Sequence, residues 1–250
     1  MTETFNAVQM RPARAASRPL LGSEDRRLYA NGLLAELPDA DLALLALDLV
    51  AVTLAPGSVL QRSGEPIAYA YFIERGLVSL FTMLEDGSQL ETCSIGRKGA
   101  IGLNGGLGAR LATSHAIVQM PVSASRISIP HLAALAAGSS AVRDMIVRHG
   151  ESLLLRTQVT LVCNTRHAGD QRLCRWLLQA CEESGSTELS VTQAALGTIL
   201  GLRRTTVTLF CKALQQAGII KVRRGTIKVS DLAALEAKAC TCHRAAMPRP

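Results

Sequence analysis

The sequence predicts an α+β protein: an antiparallel sheet domain, then a long helix, then a compact helical domain closed by a basic hairpin. Three observations predict it. Between Leu49 and Ile129, short apolar runs are separated by turn signals, often about ten residues apart, as an antiparallel barrel or sandwich requires. From Ser139 to about Arg166 there is no proline, and Val142, Met145, Ile146, Leu153, Val159 and Val162 recur at three, four and seven. Residues 186–250 carry 10 Lys/Arg against 3 Asp/Glu, whereas residues 1–185 carry 17 of each.

The elements follow in chain order. Residues 1–22 hold Arg11, Arg14 and Arg18, Pro12 and Pro19, and one acid, Glu3, without a period. They read as a flexible basic arm, bounded at residue 29. Leu33–Leu47 has helical spacing from near Asn31-Gly32, interrupted at Pro38. The strands of the sheet domain, residues 30–137, are punctuated by Pro56-Gly57, Ser63-Gly64, Arg75-Gly76, Asp86-Gly87 and Lys98-Gly99. Asp86-Gly87 lies between Val78–Met83 and Gln89–Ile95 and predicts a hairpin, because both residues tolerate positive φ. The long helix, residues 138–167, has about seven turns. A helix of that length often pairs with a copy of itself, so it predicts a dimer seam. His167-Ala168-Gly169 marks the break before a second helix, Asp170–Glu183, and Glu183-Ser184-Gly185-Ser186 reads as a loop. The last domain spans residues 168–240, and 241–250 read as a tail.

Composition excludes several classes. Hydrophobic residues make up 48% and charged residues 19%, which is globular rather than disordered, collagenous or coiled-coil. Eight aromatic residues leave the core to Leu, Val, Ile and Ala. The longest uncharged stretch, Ile127–Val142, contains Pro130, His131, Gly138, Ser139 and Ser140 and is too short and polar for a bilayer. No secretory signal opens the chain, and an odd count of seven cysteines argues against a disulfide framework. The expected compartment is the cytoplasm, with no membrane partner.

The basic block carries the functional pattern. Residues 193–212 fit a helix-turn-helix: Leu196, Leu200, Leu202, Val207 and Phe210 form its small core, Gly197 permits close approach, and Gly201 supplies the turn. The second helix opens with Arg203, Arg204, Thr205 and Thr206, with Thr208 and Lys212 farther along its outer face. Its N-terminus offers free N–H groups and partial positive charge to phosphate, and in a major groove it would set side chains against base edges. Ile219–Val229 then reads as two short strands around a basic turn, a wing whose Arg223 and Arg224 reach phosphates. Double-stranded DNA is the partner this predicts; a solvated basic surface is the bland alternative for the charge taken alone.

In this order of parts the chain resembles the Crp/Fnr family of bacterial transcription regulators, over roughly residues 30–235. Val191-Thr192-Gln193 through Gly201 to Arg204-Thr205-Thr206-Val207 carries the resemblance most specifically, with Pro56-Gly57, Tyr71-Phe72-Ile73 and Arg75-Gly76 in the sheet domain. The resemblance implies a cyclic-nucleotide-binding-like β-roll, a homodimer joined along the long helix, a two-fold symmetric operator and contact with RNA polymerase. It adds Thr192 to the expected DNA contacts, and it implies that a small-molecule effector in the β-roll reorients the DNA-binding domains.

Two departures qualify it. Relatives that bind cyclic AMP use a Gly-Glu-Leu segment and an Arg-Ser or Arg-Thr pair. The matching segments here are Gly102-Leu103-Asn104 and Thr113-Ser114-His115, without the carboxylate or the arginine. Gly102, Leu103, Thr113 and Ser114 therefore mark the expected effector pocket, but not one for cyclic AMP, whose phosphate would lack its bidentate partner. Arg97, Lys98 and Arg110 read as solvated loop charges. Many relatives also present Arg-Glu-x-x-x-Arg to the bases; this chain keeps Arg204 but has Thr205 and Leu209, so its operator should differ.

Other chemistry finds less support. An iron–sulfur sensor needs a cysteine cluster in the arm, and no cysteine precedes Cys93. Cys240-x-Cys242-His243 has soft ligands, but no second pair stands at zinc-finger spacing, so no metal or other cofactor is expected and the segment reads as a frayed tail. Cys163, Cys174 and Cys181 read as small buried residues rather than a redox switch, Trp176 as core, and His115, His131 and His149 as structural or surface residues rather than haem ligands. No catalytic triad, P-loop, dinucleotide fingerprint or HExxH is present, so no enzyme is expected. The alternative reading is a ligand-binding, redox- or metal-responsive module acting through protein partners.

Overall fold

The computed structural model describes residues 30–109 and 111–245; the arm expected over residues 1–29, and Arg110, lie outside the described residues. The expected first helix arrives in two pieces, α1 (Gly32–Ala35) and α2 (Asp39–Ala46), parted at Pro38. Asn31 explains why α1 starts where it does. Its Oδ1 accepts from the N–H groups of Leu33 (3.0 Å) and Leu34 (3.3 Å), and its Nδ2 donates to the carbonyls of Ile73 (2.7 Å) and Gly99 (2.8 Å). One buried amide thus caps the helix and pins it to the sheet.

The sheet domain is built on two long strands. β1 (Val50–Leu54), β2 (Val59–Gln61), β3 (Tyr69–Met83), β4 (Gln89–Ile95), β5 (Ala100–Ile101) and β6 (His115–Ser128) form one antiparallel sheet. β3 pairs with β6 along nearly its whole length, from Tyr69 opposite Ser128 to Phe81 opposite His115. β1 and β5 flank the end that holds Tyr71 and Arg126, whereas β2 and β4 flank the other end. The same two strands therefore serve both layers, which makes the sheet a roll. The bend falls where the register slips between Ile73 and Val78. Gly76 sits there at φ 88°, and a Cβ on it would meet the Pro121 carbonyl oxygen at 2.1 Å. Arg75-Gly76, expected as a turn, is instead the bulge at which β3 bends. Asp86-Gly87 does form the expected hairpin between β3 and β4, with Asp86 Oδ1 accepting from the Ser88 N–H at 2.8 Å.

A 3-10 turn over Leu103–Leu107 and α3 (Ile129–Gly138) lead to α4 (Ser140–Arg166), 27 residues long and capped by the Ser139 hydroxyl. Val142, Met145 and Ile146 are buried in one core with residues of α1, α2 and α3, so these members of the periodic set face the protein's own interior. A second stripe, Val147, Leu154 and Leu161, each seven residues apart, is 48, 60 and 65% exposed.

The C-terminal domain contains α5 (Gly169–Ser184), β7 (Glu188–Leu189), α6 (Gln193–Leu200), α7 (Arg204–Gln216), β8 (Ile220–Arg223), β9 (Thr226–Val229), α8 (Leu232–Lys238) and α9 (Cys242–Ala245). α5 runs one residue farther than expected, so Ser184 is helical rather than in the loop, and Glu183, last residue of the expected helix, is buried. The core around Trp176 takes in Leu173, Leu196, Val207 and Ile220, and also Leu77, Phe81 and Met120 from the sheet. The two domains share that core. Among the described residues, no helix is long and apolar enough to cross a membrane.

Candidate nucleic-acid interface and effector cavity

The helix-turn-helix is held by short-range geometry. Thr192 caps α6, its Oγ1 accepting from the Ala195 N–H at 3.0 Å. Gly201 ends α6 at φ 61°, and the Leu202 N–H returns to the Gly197 carbonyl at 2.8 Å. A Cβ on Gly197 would lie 2.9 Å from the Leu202 carbonyl oxygen, which is why a small residue stands there. Leu196, Leu200 and Val207 are buried as the sequence predicts, whereas Leu202 and Phe210 are half-buried at the edge.

Arg203 is the N-cap of α7 and Arg204 its first residue, with no acid in the first turn to offset the positive end of the helix. Arg203, Arg204, Thr205, Thr208 and Lys212 are exposed, and Thr206 is half-buried. Thr208 is committed inside the motif: its Oγ1 lies 2.7 Å from Gln193 Oε1 and 2.9 Å from the Arg204 carbonyl, so its one proton serves one of them at a time. Leu209 is 66% exposed on the same helix, an apolar group on an otherwise polar face.

The wing closes the site. β8 and β9 pair through Arg223 and Thr226, with Gly225 at φ 74° in the turn, and Arg223 and Arg224 are exposed. A groove of about 470 Å³ runs between wing and helices, and Thr192, Gln193, Arg204, Arg223 and Arg224 line it. None of its lining residues is acidic. Gln193, part of the stretch that carries the resemblance but not among the expected contacts, also lines this groove, directly after the Thr192 cap. A second, more open groove brings the β3–β4 turn, Gly87–Gln89, beside Gly201, Arg203 and Arg204.

A cavity of about 210 Å³ lies between the β-roll and α4. Gly102, Leu103, Thr113 and Ser114 all lie on its wall, together with Gln61, Asn104, Ile146, His149 and Leu153. Its described lining holds no carboxylate, lysine or arginine. Among the described lining residues the one ionisable group is His149, whose Nε2 lies 2.8 Å from the Ala100 carbonyl. Burial pushes His149 down to about 4, so the imidazole is neutral at physiological pH. Gln61 donates to the Ser114 carbonyl at 3.3 Å, while its buried Oε1 has no protein partner. Lys98 turns away to Glu182 at 2.6 Å, and Arg97 approaches the Glu182 carbonyl. His131 is exposed beside Asp48, and His115 is half-buried.

Two buried polar ties join sheet domain to C-terminal domain. Trp176 Nε1 donates to Glu91 Oε2 at 2.8 Å, while the Ser79 and Ser94 hydroxyls donate to Glu91 Oε1. Trp176 is core, as expected, but it also bonds across the domains. Burial raises the Glu91 carboxyl above the usual range, against those three hydrogen bonds. Arg156 Nη1 lies 2.5 Å from Glu183 Oε1, and Glu183 Oε2 accepts from the Gly96 N–H at 3.1 Å.

Cys174, Cys181 and Cys211 are buried, and burial pushes each thiol up to about 11, which leaves them unreactive. Among the described residues, metal-ligand side chains gather only at Cys163, His167, Cys240 and Cys242, away from both groove and cavity. Cys240 and Cys242 are thus buried rather than part of a frayed tail.

Comparison with known proteins agrees with this architecture. Residues 51–139 match the cyclic nucleotide-binding domain, and residues 171–238 match the Crp-like helix-turn-helix domain. No curated protein matches the chain in sequence. FixK2 from Bradyrhizobium japonicum superposes with a TM-score of 0.66 at 16% identity, over 77% of this chain and 98% of that one. The c-di-GMP-responsive global regulator CLP of Xanthomonas campestris gives 0.62 at 17%, over 78% and 100%. A CRP/FNR-family transcriptional regulator of Thermus thermophilus gives 0.60 at 23%, over 76% and 97%. With a helix-turn-helix and wing for DNA behind a cyclic-nucleotide-binding-like roll, the chain belongs to the Crp/Fnr family of transcription regulators.

Proposed function

We propose that the protein is a homodimeric, cytoplasmic regulator that reads a two-fold symmetric operator, contacts RNA polymerase, and performs no catalysis. The observation that carries the DNA reading is the acid-free groove between α7 and the wing, where Arg204, Arg223 and Arg224 converge. Arg204 at the start of α7 reads a guanine edge, exposed Thr205 and Lys212 and half-buried Thr206 are its further contacts on that helix, and exposed Leu209 meets a thymine methyl. Arg203, Arg223, Arg224 and the free hydroxyl proton of Thr192 hold phosphates. Thr208 acts by holding α6 to α7.

The same reading makes the 210 Å³ cavity the effector site, with Gly102, Leu103, Thr113 and Ser114 in its wall. Its effector is small and uncharged. A buried phosphate would find neither arginine nor lysine among the described lining, and a desolvated anion without a partner is costly. On this reading the cavity does not bind cyclic AMP in the usual arginine-held way. Exposed Val147, Leu154 and Leu161 on α4 supply the dimer seam.

Unbiased selection of DNA duplexes by the purified protein tests the reading. The expected winner has two half-sites about one helical turn apart. Arg204→Ala should cost about 1–3 kcal/mol and relax one position, whereas Arg224→Ala should weaken all sequences alike and lower the salt slope by about one. No enrichment, with or without cell metabolites, would refute the regulator reading.

A further inference from the structure

Four ligand-type side chains meet where α4 ends. Cys163 and His167 are four residues apart, so they share one face of its last turn, and His167 is the residue that closes the helix. Cys240 follows α8, and Cys242 opens α9. Cys163 Sγ lies 3.5 Å from Cys240 Sγ, Cys242 Sγ lies 3.6 Å from His167 Nδ1, and all four ligand atoms fall within 4.8 Å of one another. Zinc bonds of about 2.3 Å to sulfur and about 2.0 Å to nitrogen set tetrahedral edges of about 3.5–3.8 Å. These two separations match those edges, whereas a disulfide would need sulfurs about 2.05 Å apart. Three thiols and one imidazole are the soft donor set that selects a tetrahedral ion of the zinc class.

The packing points the same way. Cys163, Cys240 and Cys242 form an apolar cluster of their own, joined only by half-buried Val159. That is little apolar area with which to seat α9, a helix of four residues that has no stability alone. The loop before α9 is already shaped for ligation. His243 Nδ1 lies 2.8 Å from the Cys240 carbonyl and its Nε2 3.1 Å from Glu236 Oε1, which ties the imidazole to α8 and its own loop and leaves the two cysteine sulfurs to α4. His243, the neighbour of Cys242 in sequence, is therefore a support and not a ligand.

We propose that Cys163, His167, Cys240 and Cys242 bind one zinc ion, which clamps the C-terminal helix across the junction between α4 and the DNA-binding domain. The ion joins the last turn of the long helix to the far end of the C-terminal domain, so its occupancy sets how firmly that domain is held. The missing second ligand pair is Cys163-x-x-x-His167, far upstream in sequence.

The test uses the full chain, purified under reducing conditions without chelator. One zinc per chain is expected by mass spectrometry. Metal-free reduced protein titrated with Co²⁺ should show the visible d–d bands of a tetrahedral site and a sulfur-to-cobalt charge-transfer band. Cys240→Ser with Cys242→Ser should abolish both, His167→Ala should alter the cobalt spectrum, and His243→Ala should keep it. These readouts do not depend on DNA. Removing zinc should weaken binding to the selected operator by roughly tenfold, within the usual range for coupled sites. Trace metal with no cobalt spectrum, full occupancy in the double cysteine variant, or a Cys163–Cys240 disulfide in anaerobically purified protein would overturn the site. Unchanged operator affinity after zinc removal would overturn the clamp.

Discussion

Replacing Arg156 with methionine should be the most damaging single change in the domain junction. Arg156 and Glu183 are 10 and 5% exposed, so solvent screens their contact very little. Burial works against the Arg156 charge, but Glu183 foremost, with Cys93 and Glu182, more than offsets it, and the guanidinium is held above its ordinary range. Methionine keeps the stem and removes the charge, leaving a buried carboxylate with the Gly96 N–H as its remaining donor. Breaking a buried pair from one side costs about 3–5 kcal/mol. Against a total stability of about 5–15 kcal/mol, that is a large part of the whole. Adding Glu183→Gln removes the stranded charge yet keeps an amide oxygen for Gly96. The double variant should therefore recover about 2 kcal/mol or more of the loss. Urea titration followed by the fluorescence of Trp176, the single tryptophan, reports both values, with protomer concentration held fixed because a dimer's stability depends on it. A single variant that loses less than about 1 kcal/mol, or a double variant whose loss equals the sum of its parts, would refute the reasoning.

His149 sets a pH dependence with a definite sign: its folded value is depressed from 6.5 to about 4, so in that window the unfolded chain binds the extra proton and stability falls as pH falls. The slope is about 1.4 kcal/mol per pH unit and the total about 3 kcal/mol, and His149→Gln should remove it; equal pH profiles by urea titration would count against the assignment. Leu154→Lys with Leu161→Lys should give a monomer by light scattering, since each of the four leucines in a dimer would otherwise contribute about 1.5–3 kcal/mol on burial; a monomeric wild type would sink the seam. Glu91→Ala strands the Trp176 N–H and should cost about 1–3 kcal/mol, whereas Glu91→Gln keeps an acceptor and should cost less, as urea midpoints will show.

The sequence was most legible where structure is local. Thr192, Gly197 and Gly201 are set by caps and turns within a few residues, and the helix-turn-helix follows from them. Asp86-Gly87 is legible for the same reason. Gly76 is not, because a glycine in a bulge and a glycine in a turn look alike until the partner strand is known. Trp176 is legible as core, but its bond to Glu91 spans 85 residues and leaves no local pattern. Glu183, next to Ser184-Gly185, looks like the start of a loop; only Arg156 and Gly96 show why it is buried. The Cys163–Cys240 contact, 77 residues apart, was hidden in the same way.

The long helix shows how one periodic signal can hold two functions. Val142, His149, Arg156 and Cys163 stand seven residues apart, and all four are buried. Val147, Leu154 and Leu161 have the same period but are exposed. Five residues separate the stripes in phase, about 140° around a helix of 3.6 residues per turn, so they occupy nearly opposite faces. Read as one amphipathic pattern, the sequence mixes Val142 from one face with residues beside the other. Taken apart, the inward stripe meets the roll's core, the cavity, Glu183 and the cysteine cluster in turn. His149 to Arg156 is about 10.5 Å along the axis, so the cavity wall and the grip on α5 sit two turns apart on one rod. An effector shifts the DNA-binding domain only by favouring one arrangement of that rod over another. On the proposed reading, the Arg156–Glu183 pair is where that preference is felt, because it is the buried charged contact that ties this rod to α5.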